Sequence, residues 1–254
     1  MIVSLLPTIA AVFMLLFARF GTMVMLLPGL GEQAVPARIR LAMALVLCFL
    51  FYPMVSGLYP ADRLQVMSSV ILLMAGEMAI GFMIGLATRI MMSVLQTAGT
   101  TIASQTGLAF AMSMDPGQGT QGALFGNFLS LLGITLIFVT DLHYMAIAAL
   151  YDSFTLFPPG KLLPVGDAAE FGVGAVADAF RVAMQIAAPF IVFGLVFYLG
   201  LGLLNRLMPQ MQIFFIAMPA TIMFGLLLTF LLLGSMMAWY LNHIEIGLGR
   251  FLAQ

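Results

Sequence analysis

Residues 99–122 read GTTIASQTGLAFAMSMDPGQGTQG, a polar and glycine-rich stretch set between long apolar runs. It carries Thr100, Thr101, Ser104, Gln105, Thr106, Ser113, Gln118, Thr120 and Gln121 around glycines at 99, 107, 117, 119 and 122. An unsatisfied backbone group in hydrocarbon costs several kcal/mol, so such a segment is expected against protein or along a watery path rather than against lipid. The surrounding chain makes the stretch anomalous. Of 254 residues, 63% are apolar and only 7% charged, against about a quarter charged in soluble domains, and mean hydropathy is +1.15. The fold this predicts is all-α: a multi-helix integral membrane protein, built of long apolar helices and hairpins that hold the polar stretch.

Towards the N-terminus, an apolar segment over 90–106 begins after Arg89 and grades into the polar stretch. The segment before it, 66–88, carries Glu77, Gly81, Gly85 and Thr88, which at 100° per residue fall within about 80° of one another. A face so small and polar suits close approach of another helix, and Gly81-x-x-x-Gly85 has the spacing for it. Glu77 reads as a buried carboxyl hydrogen-bonded across that interface, with an ion or proton site as the alternative. Segment 41–59 and a retained first span over 2–27 complete this half. A charge at mid-span costs roughly 2.5–3.5 kcal/mol on insertion scales, so Arg19 is expected to face protein or a polar cavity unless it snorkels at a helix end. If every segment crosses, Arg63 and Lys161 fall on opposite sides of the membrane, a result that depends on 90–106 being a span of its own.

Beyond the stretch, 123–140 is strongly apolar and opens with Gly122-x-x-x-Gly126. Asp141-Leu142-His143 ends it or marks a bend, a shorter apolar run follows to Leu150, and 151–171 is the longest polar interval. A helix over 173–204 and a second over 213–241 form an αα-hairpin whose turn carries Arg206 and Pro209. Pro219 is expected to kink the second arm.

The chemistry of many enzyme classes is missing. Lys161 follows Gly160 but precedes Leu162, so no phosphate-cradling loop is present. His143 and His243 are too far apart for the two-histidine zinc helix. There is no Gly-x-Ser-x-Gly elbow and no paired catalytic carboxylates. A net charge of −1 offers no basic face for nucleic acid. Cys48 reads as a small core residue. No catalytic residue, metal site or cofactor is therefore expected. What remains in 107–122 is Leu108, Phe110, Met112 and Met114 among the glycines, with a turn at Asp115-Pro116-Gly117. Thioether and aromatic groups on a glycine-rich loop make a soft, deformable plug.

The order of these features resembles the FliR family of flagellar export-gate subunits, called SctT in injectisomes. The likeness covers nearly the whole chain. It rests on Arg19-x-Gly21 leading to Pro28, Pro36-x-Arg38-x-Arg40, and Gly76-Glu77 followed by Gly81 and Gly85. It continues through Gly99, Gln105-x-Gly107, Asp115-Pro116, Asp141-x-His143, Ser153 with Phe157-Pro158-x-Gly160, and Arg206-x-x-Pro209. The resemblance implies a non-enzymatic subunit of the type III protein export gate, in the bacterial inner membrane at the flagellar basal body. It implies a helical assembly with FliP and FliQ, with FlhB and FlhA as further partners and unfolded flagellar proteins as cargo. Residues 1–171 would be similar to a FliP subunit and 172–254 to a FliQ subunit. The loop at 107–122, with Gly107, Leu108, Phe110, Met112, Met114, Asp115, Pro116, Gly117, Gly119 and Gly122, would lie in the channel and help close it. Glu77, Gly81, Gly85, Gly99 and Gln105 would pack helices.

A second reading comes from another class. A small-solute secondary transporter would use 99–122 as a broken helix at a mid-membrane site, with Glu77 or Arg19 as the coupling charge. It predicts a matching polar interruption in the C-terminal half, of which Pro189 and Pro219 are only an echo.

Overall fold

A computed structural model of the chain describes residues 2–27, 29, 31, 35–60, 62–109, 123–161, 165–208 and 213–252. Among them are seven α-helices: α1 (Ile2–Leu26), α2 (Ala37–Val55), α3 (Met67–Gln105), α4 (Ala123–Val139), α5 (Leu142–Leu156), α6 (Val165–Leu207) and α7 (Ile213–Gly249). Two short 3₁₀ turns, Ser56–Leu58 and Arg63–Gln65, lie between α2 and α3. No strand occurs among the described residues. Five of these helices contain a stretch long and apolar enough to cross a membrane, with a sixth span if α4 and α5 count together as one bent crossing.

Two boundaries differ from the hydropathy reading. The segments read at 66–88 and 90–106 merge into one 39-residue helix, Met67–Gln105. Arg89 lowers the hydropathy there, but arginine is a good helix former, and its exposed side chain leaves the backbone ladder intact. Likewise α6 begins at Val165, inside the expected polar interval. Asp167 in its first turn suits the positive end of the helix dipole. The expected division after residue 171 therefore falls within a continuous helix. At Asp141 the chain does both things the sequence allowed: α4 ends and the path bends by 77° into α5, with Asp141 at φ 60°, in the left-handed region, at the N-cap position without a side-chain cap.

The chain forms two compact units, neither of them one continuous segment. Unit 1 comprises Met1–Met91, Phe138–Val176 and Glu245–Gln254. Its core is a stripe of α1, including Leu15, Leu16, Phe20 and Met23, all essentially inaccessible. Phe20 lies 5.5 Å from Phe51 of α2 and 5.6 Å, edge-on, from Phe154 of α5. Cys48 is buried in this unit. Unit 2 comprises Met92–Ile137 and Ala177–Ile244. It buries Leu95 and Ile102 of α3, Leu129 of α4, Ile186 and Phe190 of α6, and Tyr240 of α7. The two arms of the expected hairpin meet in it, with Phe193 of α6 6.5 Å from Phe224 of α7.

Candidate functional site

The two charges that stand out of place in apolar helices are found together. Arg19 of α1 has no accessible surface and Glu77 of α3 is 2% exposed. The Arg19 Nε donates to Glu77 Oε2, forming a buried ion pair. The rest of the guanidinium faces the end of α5. Its Nη1 donates to the Ser153 carbonyl at 2.9 Å and its Nη2 to the Phe157 carbonyl at 3.0 Å. The Phe154 ring lies under the guanidinium carbon at 4.1 Å. The Ser153 carbonyl also accepts the Phe157 N–H at 2.9 Å, whereas the Phe157 carbonyl lies past the last turn, and both stand at the negative dipole end of the helix, so a cation here caps α5. One arginine thus ties α1, α3 and α5 through a carboxylate, two carbonyls and an aromatic face.

Small residues make that reach available. A Cβ at Gly81 would collide with Thr22 Oγ1 and the Arg19 carbonyl oxygen. One at Gly85 would lie 2.8 Å from Leu26 Cβ and 3.4 Å from Met23 Cα. The glycine face of α3 therefore admits the backbone of α1, and Glu77, one turn before Gly81, comes within reach of Arg19. Tyr59, just past the end of the Ala37–Leu58 span, buries its hydroxyl beside the same carboxylate without an aligned hydrogen bond. Burial, reinforced by the Glu77 charge, pushes that hydroxyl above the ordinary tyrosine range.

Unit 2 holds the first part of the polar stretch. Residues 99–105 are the end of α3, and a Cβ at Gly99 would collide with Gly126 Cα of α4. Across the same contact Ser130 Oγ donates to Gln96 Oε1 at 3.3 Å. A Cβ on Gly194 of α6 would stand 2.5 Å from Gln105 Oε1, and one on Gly225 of α7 2.5 Å from the Thr106 side chain. The hydroxyls of Thr100, Thr101, Ser104 and Thr106 bond carbonyls three or four residues earlier. Such back-bonding satisfies them within the helix, so 100–106 needs no watery path, and Thr100 and Ser104 are exposed. Gly107 ends the helix with φ 71°, as a left-handed terminator does. Leu108 follows, partly buried, in a resumed helical turn. The positions at Phe110, Met112, Met114, Asp115, Pro116, Gly117, Gly119 and Gly122 lie outside the described residues, as does Pro209; Arg206 is exposed in the last turn of α6.

The Arg19 and Glu77 charges were visible in sequence, but their pairing was not. Nothing in sequence pointed to the carbonyls of Ser153 and Phe157 as acceptors, because any residue has a carbonyl and these lie more than 130 positions from Arg19. Tyr240, whose hydroxyl donates to Met92 Sδ at 2.8 Å, was also missed. His143 packs between the rings of Phe138 and Tyr144. Among the described residues no three His, Cys, Asp or Glu side chains converge as a metal cage. The arrangement clamps helices.

Residues 10–246 match the family model described as bacterial export proteins, family 1. The chain is 45% identical to the flagellar biosynthetic protein FliR of Caulobacter vibrioides, over 91% of this chain and 92% of that one. It is 30% identical to the protein of the same name from Escherichia coli, over 78% of this chain and 75% of the relative. It is 26% identical to the Yop proteins translocation protein T of Yersinia pestis, over 86% and 84%.

Proposed function

This chain belongs to family 1 of the bacterial export proteins, and on that premise we propose that it is a non-enzymatic structural subunit of the flagellar type III protein export gate. In this reading it forms, and helps to close, the channel for unfolded flagellar proteins. It sits in the inner membrane at the flagellar basal body with FliP and FliQ, and with FlhB and FlhA nearby. Residues 1–171 act as a FliP-like part and 172–254 as a FliQ-like hairpin. The loop at 107–122 is the plug, positioned by the packed helix end at 99–106.

One observation carries the multi-subunit reading. The helix α6 is 43 residues long, about 64 Å at 1.5 Å per residue, against about 30 Å of hydrocarbon. Tilts of up to about 40° would not bring it within the bilayer core. Exposed apolar side chains stand on both sides of its exposed Asp178–Arg181 ion pair, with Val173 and Val176 before it and Val192, Leu195, Leu199, Leu203 and Leu207 after it. Apolar surface on the part outside the bilayer therefore needs cover from protein, as a helical assembly of partner subunits would give. The transporter reading has less support, since its two coupling charges, Arg19 and Glu77, neutralise each other in a closed clamp.

Purification in mild detergent followed by mass measurement of the intact complex tests the gate reading. One copy of this chain with several copies of two small helical partners is expected; a lone chain active in proton-coupled solute uptake would overturn it. Deletion of 107–122 in the assembled complex is expected to raise ion leakage across vesicles. A complex that stays tight after that deletion would remove the plug assignment.

A further inference from the structure

A cavity of ≈ 430 Å³ opens in unit 1 beside the Arg19–Glu77 clamp. Arg63 and Lys161 line it together with Ser69, Leu72, Ile80 and Glu77. Arg63 stands in the connection between the Ala37–Leu58 and Met67–Gln105 spans, and Lys161 in the turn after α5. A hydrogen bond of 3.0 Å from Arg63 Nη1 to the Gly160 carbonyl joins the two turns. Both cations thus lie at one end of the spans, not at opposite sides. The opposite-side placement held only if 90–106 were a span of its own, and α3 is one helix over Met67–Gln105.

The chemistry of the cavity is divided. Both cations are exposed, and among the described residues neither has an ion-pair partner. Gly160 occupies one N–H of Arg63, and among the described residues no other acceptor meets the rest of its fork. Asp62 precedes Arg63 but does not line the cavity. On the floor, the Glu77 carboxylate is neutralised by Arg19, so it does not oppose an anion at the mouth. Along α3 the wall from Leu72 to Ile80 gives about 12 Å of largely apolar surface below the cations. Unpaired basic groups at the end of a span, above an apolar wall, match a phosphate headgroup with its acyl chain.

We propose that this cavity binds an anionic phospholipid, its phosphate held by Arg63 and Lys161 and the start of an acyl chain lying on Leu72 and Ile80. A free phosphate shares the headgroup chemistry but leaves the apolar wall unused. The proposal does not rest on the export-gate reading.

The test uses the full chain with whatever subunits copurify. It is equilibrated with phosphatidylcholine vesicles doped with phosphatidylglycerol, extracted in mild detergent, and its retained lipid is measured by mass spectrometry. Selective retention of phosphatidylglycerol is expected, reduced about tenfold in the R63Q/K161Q double variant. Unchanged helical circular dichroism and complex mass identify the loss as one of binding. Since Arg63 also braces Gly160, K161Q alone is the second variant, with a loss of about threefold expected. Retention of phosphatidylglycerol unchanged in both variants, or retention of phosphatidylcholine equal to it, would overturn the proposal. So would inorganic phosphate displacing the lipid at equal concentration, which would mark a simple anion site.

Discussion

In unit 1 a fully buried arginine reaches from α1 to a carboxylate on α3 and to two carbonyls at the end of α5. In unit 2 the corresponding work is done by contacts with glycine: Gly99 against Gly126, Gly194 against Gln105, Gly225 against Thr106, and Gly133 against Leu95 and Tyr240. Both devices fix apolar helices that hydrophobic burial alone would leave free to slide, since lipid tails are as apolar as leucine. They differ in how they fail. A charge clamp is all-or-none, because loss of one partner strands the other in a low dielectric. A glycine contact fails by degrees, with each added atom. Unit 1 also uses glycine, at Gly81 and Gly85, but there it brings charges together.

The largest effect is expected from breaking the clamp. Glu77→Ala leaves Arg19 buried without a counter-charge, and a loss of about 3–5 kcal/mol is expected in unfolding measured in detergent. Replacing both partners, as R19M/E77L, should recover most of that loss. A double variant as unstable as E77A would mean that the pair is not what fixes α1 on α3. Next comes the glycine contact in unit 2. Gly99→Ala puts a methyl into Gly126 Cα and should cost about 1–3 kcal/mol. Gly76→Ala meets nothing within 4 Å and should stabilise by about 0.5–1 kcal/mol through helix propensity. Thermal midpoints moving in the same direction for the two would dissolve the distinction between packed and free glycines. The smallest loss is expected at Gly107→Ala, about 1 kcal/mol for an alanine held at φ 71°. Proteolytic nicking near 107–109 should rise with it, and an unchanged digestion pattern would remove Gly107 as the terminator that sets where α3 ends.

Legibility varied with how local each feature was. The shared face of Glu77, Gly81 and Gly85 follows from helical period alone. Arg19 was conspicuous because a mid-span charge is costly. The turn residues near 205–209 marked where α6 ends at Leu207. Arg89 misled, because a hydropathy dip resembles a loop when the residue is a charge that a helix tolerates. The small residues of 99–106 were legible as a helix end suited to close packing, but that the hydroxyls bond carbonyls of their own helix was not. The acceptors at Ser153 and Phe157 are backbone atoms and leave no mark in the sequence.

By itself the sequence determined the class: apolar helices, few charges, and a polar stretch held among them. These are properties of composition and period, which local runs of sequence express. The tertiary structure alone decided that Arg19 and Glu77 neutralise each other, that α5 ends on that arginine, and that Arg63 meets Gly160 at one end of the spans. It also decided which glycines are contacts and which, like Gly76, face open space. The reason is physical. Partners separated by 58 to 138 positions are chosen by which helix faces meet, and that choice is a property of packing rather than of any local run of residues.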